Sequence, residues 1–210
     1  MDNICKITQD CVGDKCKNDL YFLSGFITDT MDNQLVGWDI PNRRIFECDT
    51  RYEEYEYDLD KVVNRFRKGV IKNSDGKIDM LAYSWGGFVA QEYARRYPED
   101  ANKIVFVNAF GKIVAGAETS AVLKLLGETF DPRVTSNIES IERALSYDFL
   151  KNDIKTPALS YNCLVDMAIG GIPPAIKGMR SVTEACRHAH TRPDEGGRIS
   201  AMVREFLDGS

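Results

Sequence analysis

One serine and two histidines limit the chemistry open to this chain. Ser84 stands in the run Met80-Leu81-Ala82-Tyr83-Ser84-Trp85-Gly86-Gly87-Phe88-Val89-Ala90. An apolar, strand-like stretch ends at Tyr83, and two glycines follow Trp85 before a helical pattern that Pro98 stops. A strand that turns this abruptly into a helix needs small residues around the turn, because the backbone there is strained and the helix packs close to the strand. Such a turn lifts the serine hydroxyl above the sheet edge. It also aims backbone N–H groups and the positive end of the new helix at the same place. A serine so held has the access and the anion site that a nucleophile requires. The plainer reading is a serine that caps an ordinary helix start. A hydroxyl also needs a base. The chain has only two histidines, His188 and His190, both just past a strand-like run near the C-terminus, so an imidazole base is one of these two.

The elements that must position these groups follow a repeating order. Strand-like apolar runs occur at Leu20–Leu23, Arg44–Cys48, Ile78–Tyr83, Lys103–Val107, Ala158–Val165 and Ser181–Cys186. Between and after them lie helical patterns at Tyr52–Val70, Gly86–Tyr97, Thr119–Glu128, Asn137–Leu150 and Asp194–Leu207. Strands alternating with helices build a parallel sheet. Several runs are apolar almost without alternation, as expected when helices cover both faces. The predicted fold class is therefore α/β, a mostly parallel central sheet with helices on both faces, in a single domain over residues 1–210. The acidic, aromatic stretch Tyr52–Tyr57 reads as the solvated first turn of a helix. Residues 109–155 carry two helical patterns and no clear strand, and read as a helical insertion. The first 17 residues are polar and read as a loosely held arm.

The totals narrow the partners. A chain of 210 residues, 43% hydrophobic and 28% charged, is an ordinary globular composition with enough apolar residues for a core. Its net charge of −5 offers no basic excess to neutralise phosphates, which argues against nucleic acid or an anionic membrane as partner. No run approaches the roughly 18 apolar residues of a membrane span. The start, Met1-Asp2-Asn3-Ile4-Cys5-Lys6, lacks the basic-then-apolar order of a secretory leader, so the expected address is the cytoplasm. Of the six cysteines, none forms a C-x-x-C pair, and both histidines lie far from the first three, so a zinc site has little support. Free thiols are expected, with Cys48, Cys163 and Cys186 in or beside buried strands.

The stretch around Ser84 resembles the nucleophile elbow of the α/β-hydrolase superfamily, G-x-S-x-G, here with Ala82 at the first small position and Gly86 at the last. The helix that follows, Gln91-Glu92-Tyr93-Ala94-Arg95-Arg96-Tyr97-Pro98, is typical of that family as well. The resemblance extends from about Leu20 to Leu207. It implies a partner order of serine, acid, histidine, with the histidine between the last strand and the last helix. His188 fits that place, and His190 is the fallback. Arg187 stands where the family usually has a glycine. For the acid, Asp166 follows the fifth strand, and Gly170-Gly171-Ile172-Pro173-Pro174 after it is similar to the family's proline-bearing segment. Asp153 precedes that strand and Glu184 lies inside another, so both are competitors of poorer fit. The implied oxyanion donors are the backbone N–H groups of Trp85 and of Phe26. The latter sits in Leu23-Ser24-Gly25-Phe26, where Ser24 replaces a customary histidine.

By this resemblance the protein is similar to compact serine esterases and thioesterases, and the expected activity is cleavage of a carboxylic ester or acyl thioester. Ser84 would attack, His188 would take and return the proton, and Asp166 would orient His188 in a catalytic triad. The implied cap would choose the acyl group, which could be carried on an acyl-carrier protein. That chemistry calls for no metal or organic cofactor. A non-catalytic hydrolase-fold module that binds a ligand or partner is the alternative, suggested by the departures at Ala82, Ser24 and Arg187.

Overall fold

The computed structural model describes residues 4–13, 15–25, 38–50, 58–114, 143, 146–150, 153–163, 171–185 and 193–209. Six strands run parallel: β2 (Leu20–Leu23), β3 (Ile45–Cys48), β4 (Ile78–Tyr83), β5 (Ala101–Val107), β7 (Ala158–Cys163) and β9 (Arg180–Glu184). One antiparallel strand, β1 (Cys5–Gln9), closes an edge, giving the order β1-β3-β2-β4-β5-β7-β9. The expected α/β class and mostly parallel sheet are present, with β4 at the centre.

Side chains alternate between two apolar layers, as the period of a strand requires. On one face Tyr21, Leu23, Phe46, Met80, Ala82, Ile104 and Phe106 meet α1 (Leu59–Asn73) and α2 (Gly86–Arg96). On the other, Leu20, Phe22, Leu81, Tyr83, Val105, Val107 and Tyr161 meet α3 (Pro193–Asp208) through Ile199, Val203 and Leu207. Helix α1 begins where the Asp58 carboxylate accepts a hydrogen bond from Lys61 N–H at 3.1 Å. Its buried Val62, Val63, Phe66 and Val70 recur at helical spacing. It ends at Ser74, whose backbone is extended, just before Asp75 and Gly76. The sequence pattern had started this helix at Tyr52. Of that extension, residues 52–57 lie outside the described part, and the capped start is at Leu59.

The N-terminal segment departs from the expected arm. Most of its exposed side chains are polar, with Ile7 and Val12 the apolar exceptions, but Cys5–Gln9 is a strand paired with β3. The expectation of free thiols is also overturned, because Cys5 is bonded to Cys48 and Cys11 to Cys16, and Cys163 is disulfide-bonded too. The reason lies in the pairing. Cys5 and Cys48 stand directly opposite each other across β1 and β3, with Cα atoms 4.0 Å apart. Spacing along the chain carries no sign of that register. Cys11 and Cys16 close a short turn that contains Gly13, whose φ of +104° suits glycine.

Most of the segment read as a helical insertion, 115–142, 144–145 and 151–152, lies outside the described residues. Its two ends carry extended pairing where no strand was expected. Lys112–Ile113 forms β6, paired antiparallel with β8 (Gly171–Ile172), and Asp148 bridges Lys112 where the Asn137–Leu150 pattern would still be helix. Strands of two residues are too short to leave a periodic signature. Among the described residues no helix is long and apolar enough to cross a membrane.

Candidate active site

Strand β4 delivers Ser84 to the carboxyl end of the sheet's centre. The Ser84 N–H donates to the Val107 carbonyl of neighbouring β5 at 3.1 Å. Its φ is +49°, in the left-handed region. Asn42 and Asn108 are the other described non-glycine residues with positive φ, and asparagine tolerates that geometry better than serine. A serine held there stores strain on the order of 1–3 kcal/mol, which persists only because the surrounding structure imposes it. Trp85 is already helical at φ −54° and ψ −37°, and Gly87 N–H returns to the Ser84 carbonyl at 3.0 Å.

The two glycines let the helix approach the sheet. A Cβ on Gly86 would overlap the Leu23 carbonyl and lie 2.9 Å from the Ser24 oxygen. One on Gly87 would lie 2.5 Å from Ala109 Cβ. Gly25 completes the packing, because a Cβ there would lie 3.2 Å from Ser84 Cβ and 3.0 Å from the Tyr83 ring. The backbone after β2 therefore rests directly on the serine that the elbow presents. The N-terminus of α2 adds its positive end at the same point.

The loop after β2 is tied down by Thr50, just beyond the end of β3. Thr50 N–H donates to Ser24 Oγ at 3.1 Å, and its hydroxyl donates to the Ser24 carbonyl at 2.8 Å. The Thr50 carbonyl accepts from the Trp85 indole Nε1 at 3.4 Å. Ser24 and Thr50 are both fully buried. The Trp85 ring packs edge-on to Phe88, with centroids 5.7 Å apart, and lies 6.2 Å from Tyr147. Tyr147 and Phe149, which arrive from the far end of the insertion, thus pack beside the elbow.

Phe26, Asp166, His188 and His190 lie outside the described residues. The strands that lead to the last three are described. Both β7, which ends three residues before Asp166, and β9, which ends four residues before His188, run parallel to β4 on its β5 side. Their carboxyl ends thus share the side of the sheet on which Ser84 stands. The competing acids are occupied or misplaced. Asp153 precedes β7, at the opposite end of the strands from Ser84, and its side chain is exposed near Lys155 Nζ at 4.0 Å. Glu184 accepts from Arg198 at 2.8 Å and from Tyr161 Oη at 3.1 Å. The Arg198 guanidinium, aided by Tyr161, holds the Glu184 carboxyl below the usual glutamate range. It is an ion pair that fastens α3 to β9. Among the described residues, no cluster of three or more His, Cys, Asp or Glu side chains is set to hold a metal ion.

Sequence reasoning found the elbow and overlooked Thr50. A threonine after an apolar run carries no pattern, and only the pairing of β2 with β3 brings it beside Ser24.

A central parallel sheet, a strained serine at the end of its middle strand and a helix starting behind it define a class, the α/β-hydrolase fold. A sequence model of that fold matches residues 35–154, and the chain belongs to this family. The structure is similar over 98% of this chain to MGS-M2, an α/β hydrolase enzyme from a Medee basin deep-sea metagenome library. That match covers 94% of the MGS-M2 chain, at 17% identity and a TM-score of 0.74. An esterase, EaEST from Exiguobacterium antarcticum, matches at 13% identity and TM-score 0.69, over 98% of this chain and 95% of that one. The type II thioesterase BorB from the borrelidin biosynthetic cluster matches at 13% and 0.68, over 97% and 96%. No curated protein sequence matches the chain.

Proposed function

We propose that the protein is a serine hydrolase that cleaves a carboxylic ester or acyl thioester through an acyl-enzyme intermediate. The observation that carries this reading is the backbone of Ser84, held at φ +49° at the end of the central strand with Gly25 packed against its Cβ. A capping serine does not need such strain, and a nucleophile lifted out of the sheet does.

In this reading Ser84 Oγ attacks the acyl carbon while His188 takes its proton, and the carbonyl oxygen becomes an oxyanion. The N–H groups of Trp85 and Phe26 stabilise that charge. Collapse breaks the bond to the leaving alcohol or thiol, which receives the proton from His188, and the acyl group stays on Ser84. Water, deprotonated by His188, then attacks the acyl carbon, and the bond to Ser84 Oγ breaks as His188 returns that proton to it, releasing the acid. Asp166 keeps the imidazole in the required tautomer and stabilises its protonated form. The chain 1–210 acts as one unit, with the insertion 109–155 as the cap that selects the acyl group. The likeness to BorB, a type II thioesterase, supports acyl thioesters among the substrates, and the proposal extends to acyl groups presented on an acyl-carrier protein. The disulfides, Cys5–Cys48, Cys11–Cys16 and that of Cys163, fit an oxidising milieu better than the reducing cytoplasm expected from the sequence.

The test pairs covalent labelling by a fluorophosphonate probe with turnover of p-nitrophenyl esters and acyl thioesters of graded chain length. Ser84→Ala should abolish both while leaving the thermal transition in place. His188→Ala should lose on the order of 10⁴-fold or more, because nucleophile and base act as a unit, and His190→Ala far less. Turnover should rise as pH climbs through about 6.5, where an ordinary imidazole loses its proton. Retained turnover in Ser84→Ala, or the reverse pattern at the two histidines, overturns the assignment. Absent labelling with tight ligand binding would favour the non-catalytic module.

A further inference from the structure

We propose that Thr50 is a positioning residue for acyl transfer, which holds in register the two backbone segments that carry the oxyanion donors. The inference rests on the reading of Ser84 as nucleophile. Three polar groups of one buried residue point at those segments and nowhere else in the described structure. The Thr50 hydroxyl and N–H grip Ser24 on both its carbonyl and its side chain, at 2.8 and 3.1 Å. The Thr50 carbonyl takes the Trp85 indole N–H at 3.4 Å. One segment leads through Gly25 to Phe26, and the other is Trp85 itself.

The loop after β2 is anchored through Ser24. Ser24 N–H is bonded to the Cys48 carbonyl at 3.3 Å, and Ser24 Oγ lies 3.3 Å from Thr50 Oγ1. Every polar atom of Ser24 is thereby committed to the end of β3. The consequence is electrostatic. A carbonyl bonded to Thr50 Oγ1 cannot swing toward a negative charge growing above Ser84, and the chain leaves Gly25 from a fixed point. Oxyanion donors act through preorganisation, so a loosened donor raises the barrier without weakening ground-state binding. The strand end that bears Thr50 is in turn fixed by the Cys5–Cys48 disulfide two residues earlier.

Thr50→Val keeps the branched shape and removes the hydroxyl, and Thr50→Ser keeps the hydroxyl. On a p-nitrophenyl ester, with active sites counted by fluorophosphonate titration, Thr50→Val should lower kcat about 10-fold or more with KM within about twofold. Thr50→Ser should restore kcat to within about threefold. Amide hydrogen exchange at Ser24 and Gly25 should speed up about 10-fold in the valine variant only. If Thr50→Val does not fold, Ser24→Ala, which removes the acceptor for Thr50 N–H, should show the same loss in kcat alone. Unchanged kcat per titrated site in the valine variant overturns the proposal. So does a serine variant that falls as far as valine, since that marks packing rather than the hydroxyl. If the wild type shows no Ser84-dependent turnover, the hydrolase reading fails. Unaltered exchange in Thr50→Val then overturns the clamp as well, and faster exchange establishes it as a loop anchor alone.

Discussion

Gly86→Ala tests the joint between helix and sheet on which the site depends. The added Cβ would lie 2.7 Å from the Leu23 carbonyl carbon and 2.9 Å from the Ser24 oxygen, closer still to the Leu23 oxygen. All three are backbone atoms, so no side chain can turn aside. Non-bonded carbons settle at about 3.5–4.0 Å, so α2 and the end of β2 must separate by roughly 1 Å. Overpacking of this kind costs about 1–3 kcal/mol, and rigid neighbours put it near the upper end. The better helix propensity of alanine offsets at most about 1 kcal/mol. A net loss of about 2 kcal/mol lowers Tm by about 4–8 °C in a chain of this size. The same 1 Å separates Trp85 from the Ser24–Gly25 backbone, and a displacement of that size costs up to about 10²-fold in rate. Calorimetry and ester turnover on one preparation measure both effects. Gly76→Ala is the control, because nothing lies within 4 Å of a Cβ there, and it should leave both quantities nearly unchanged. A Gly86→Ala protein with wild-type Tm and wild-type kcat would refute the contact and the role assigned to it.

The buried pair at the other end of β4 gives a different expectation. Arg43 and Asp79 are bonded to each other with almost no exposure, and Asn102 donates to Asp79 at 2.7 Å. Arg43 also donates to the carbonyls of Asn18 at 2.9 Å and Leu207 at 3.2 Å. Asp79→Ala leaves the buried guanidinium with the partly exposed Asp208 carboxylate at 3.1 Å as its remaining ion-pair partner, and should cost about 3 kcal/mol by urea unfolding, the lower end for breaking a buried pair. Ester turnover per folded molecule should be unchanged, since five residue steps along the strand, about 16 Å, separate it from Ser84. The Glu184–Arg198 pair predicts a pH signature. The folded pKa of Glu184 is lowered, chiefly by Arg198, so the pair's contribution is complete above the ordinary value of 4.5 and fades as pH falls through the lower folded value. Urea midpoints of wild type and Glu184→Gln should therefore differ at neutral pH and converge in acid. A constant gap across that range would contradict the assignment.

The elements nearest the chemistry were the most legible. Strands Leu20–Leu23 and Ile78–Tyr83 match the observed β2 and β4 at both ends, because each is a short apolar run cut off by polar or small residues. Ser84 stood out because its strand, its glycines and the helix after it are consecutive, so the turn is written locally. What stayed hidden depends on which strands become neighbours. The Cys5–Cys48 bond needs β1 beside β3, and the Thr50–Ser24 clamp needs β3 beside β2. Neither adjacency leaves a period or spacing in the chain. Strand β1 itself alternates too weakly to signal a sheet, with only Cys5 buried and Lys6, Ile7 and Thr8 exposed.

That first strand has a consequence for handling the protein. All four residues of β3 are buried, and β1 is the element that covers its outer flank. Were β1 to peel away, Ile45-Phe46-Glu47-Cys48 would become a naked sheet edge, the kind of template on which chains stack into aggregates. The bond from Cys5 to Cys48 holds the cover shut, and Lys6 places a charge on the exposed side. Chain produced under reducing conditions would have only the ladder to keep that edge hidden. Its solubility, more than its folding, is where the missing bond should first be felt.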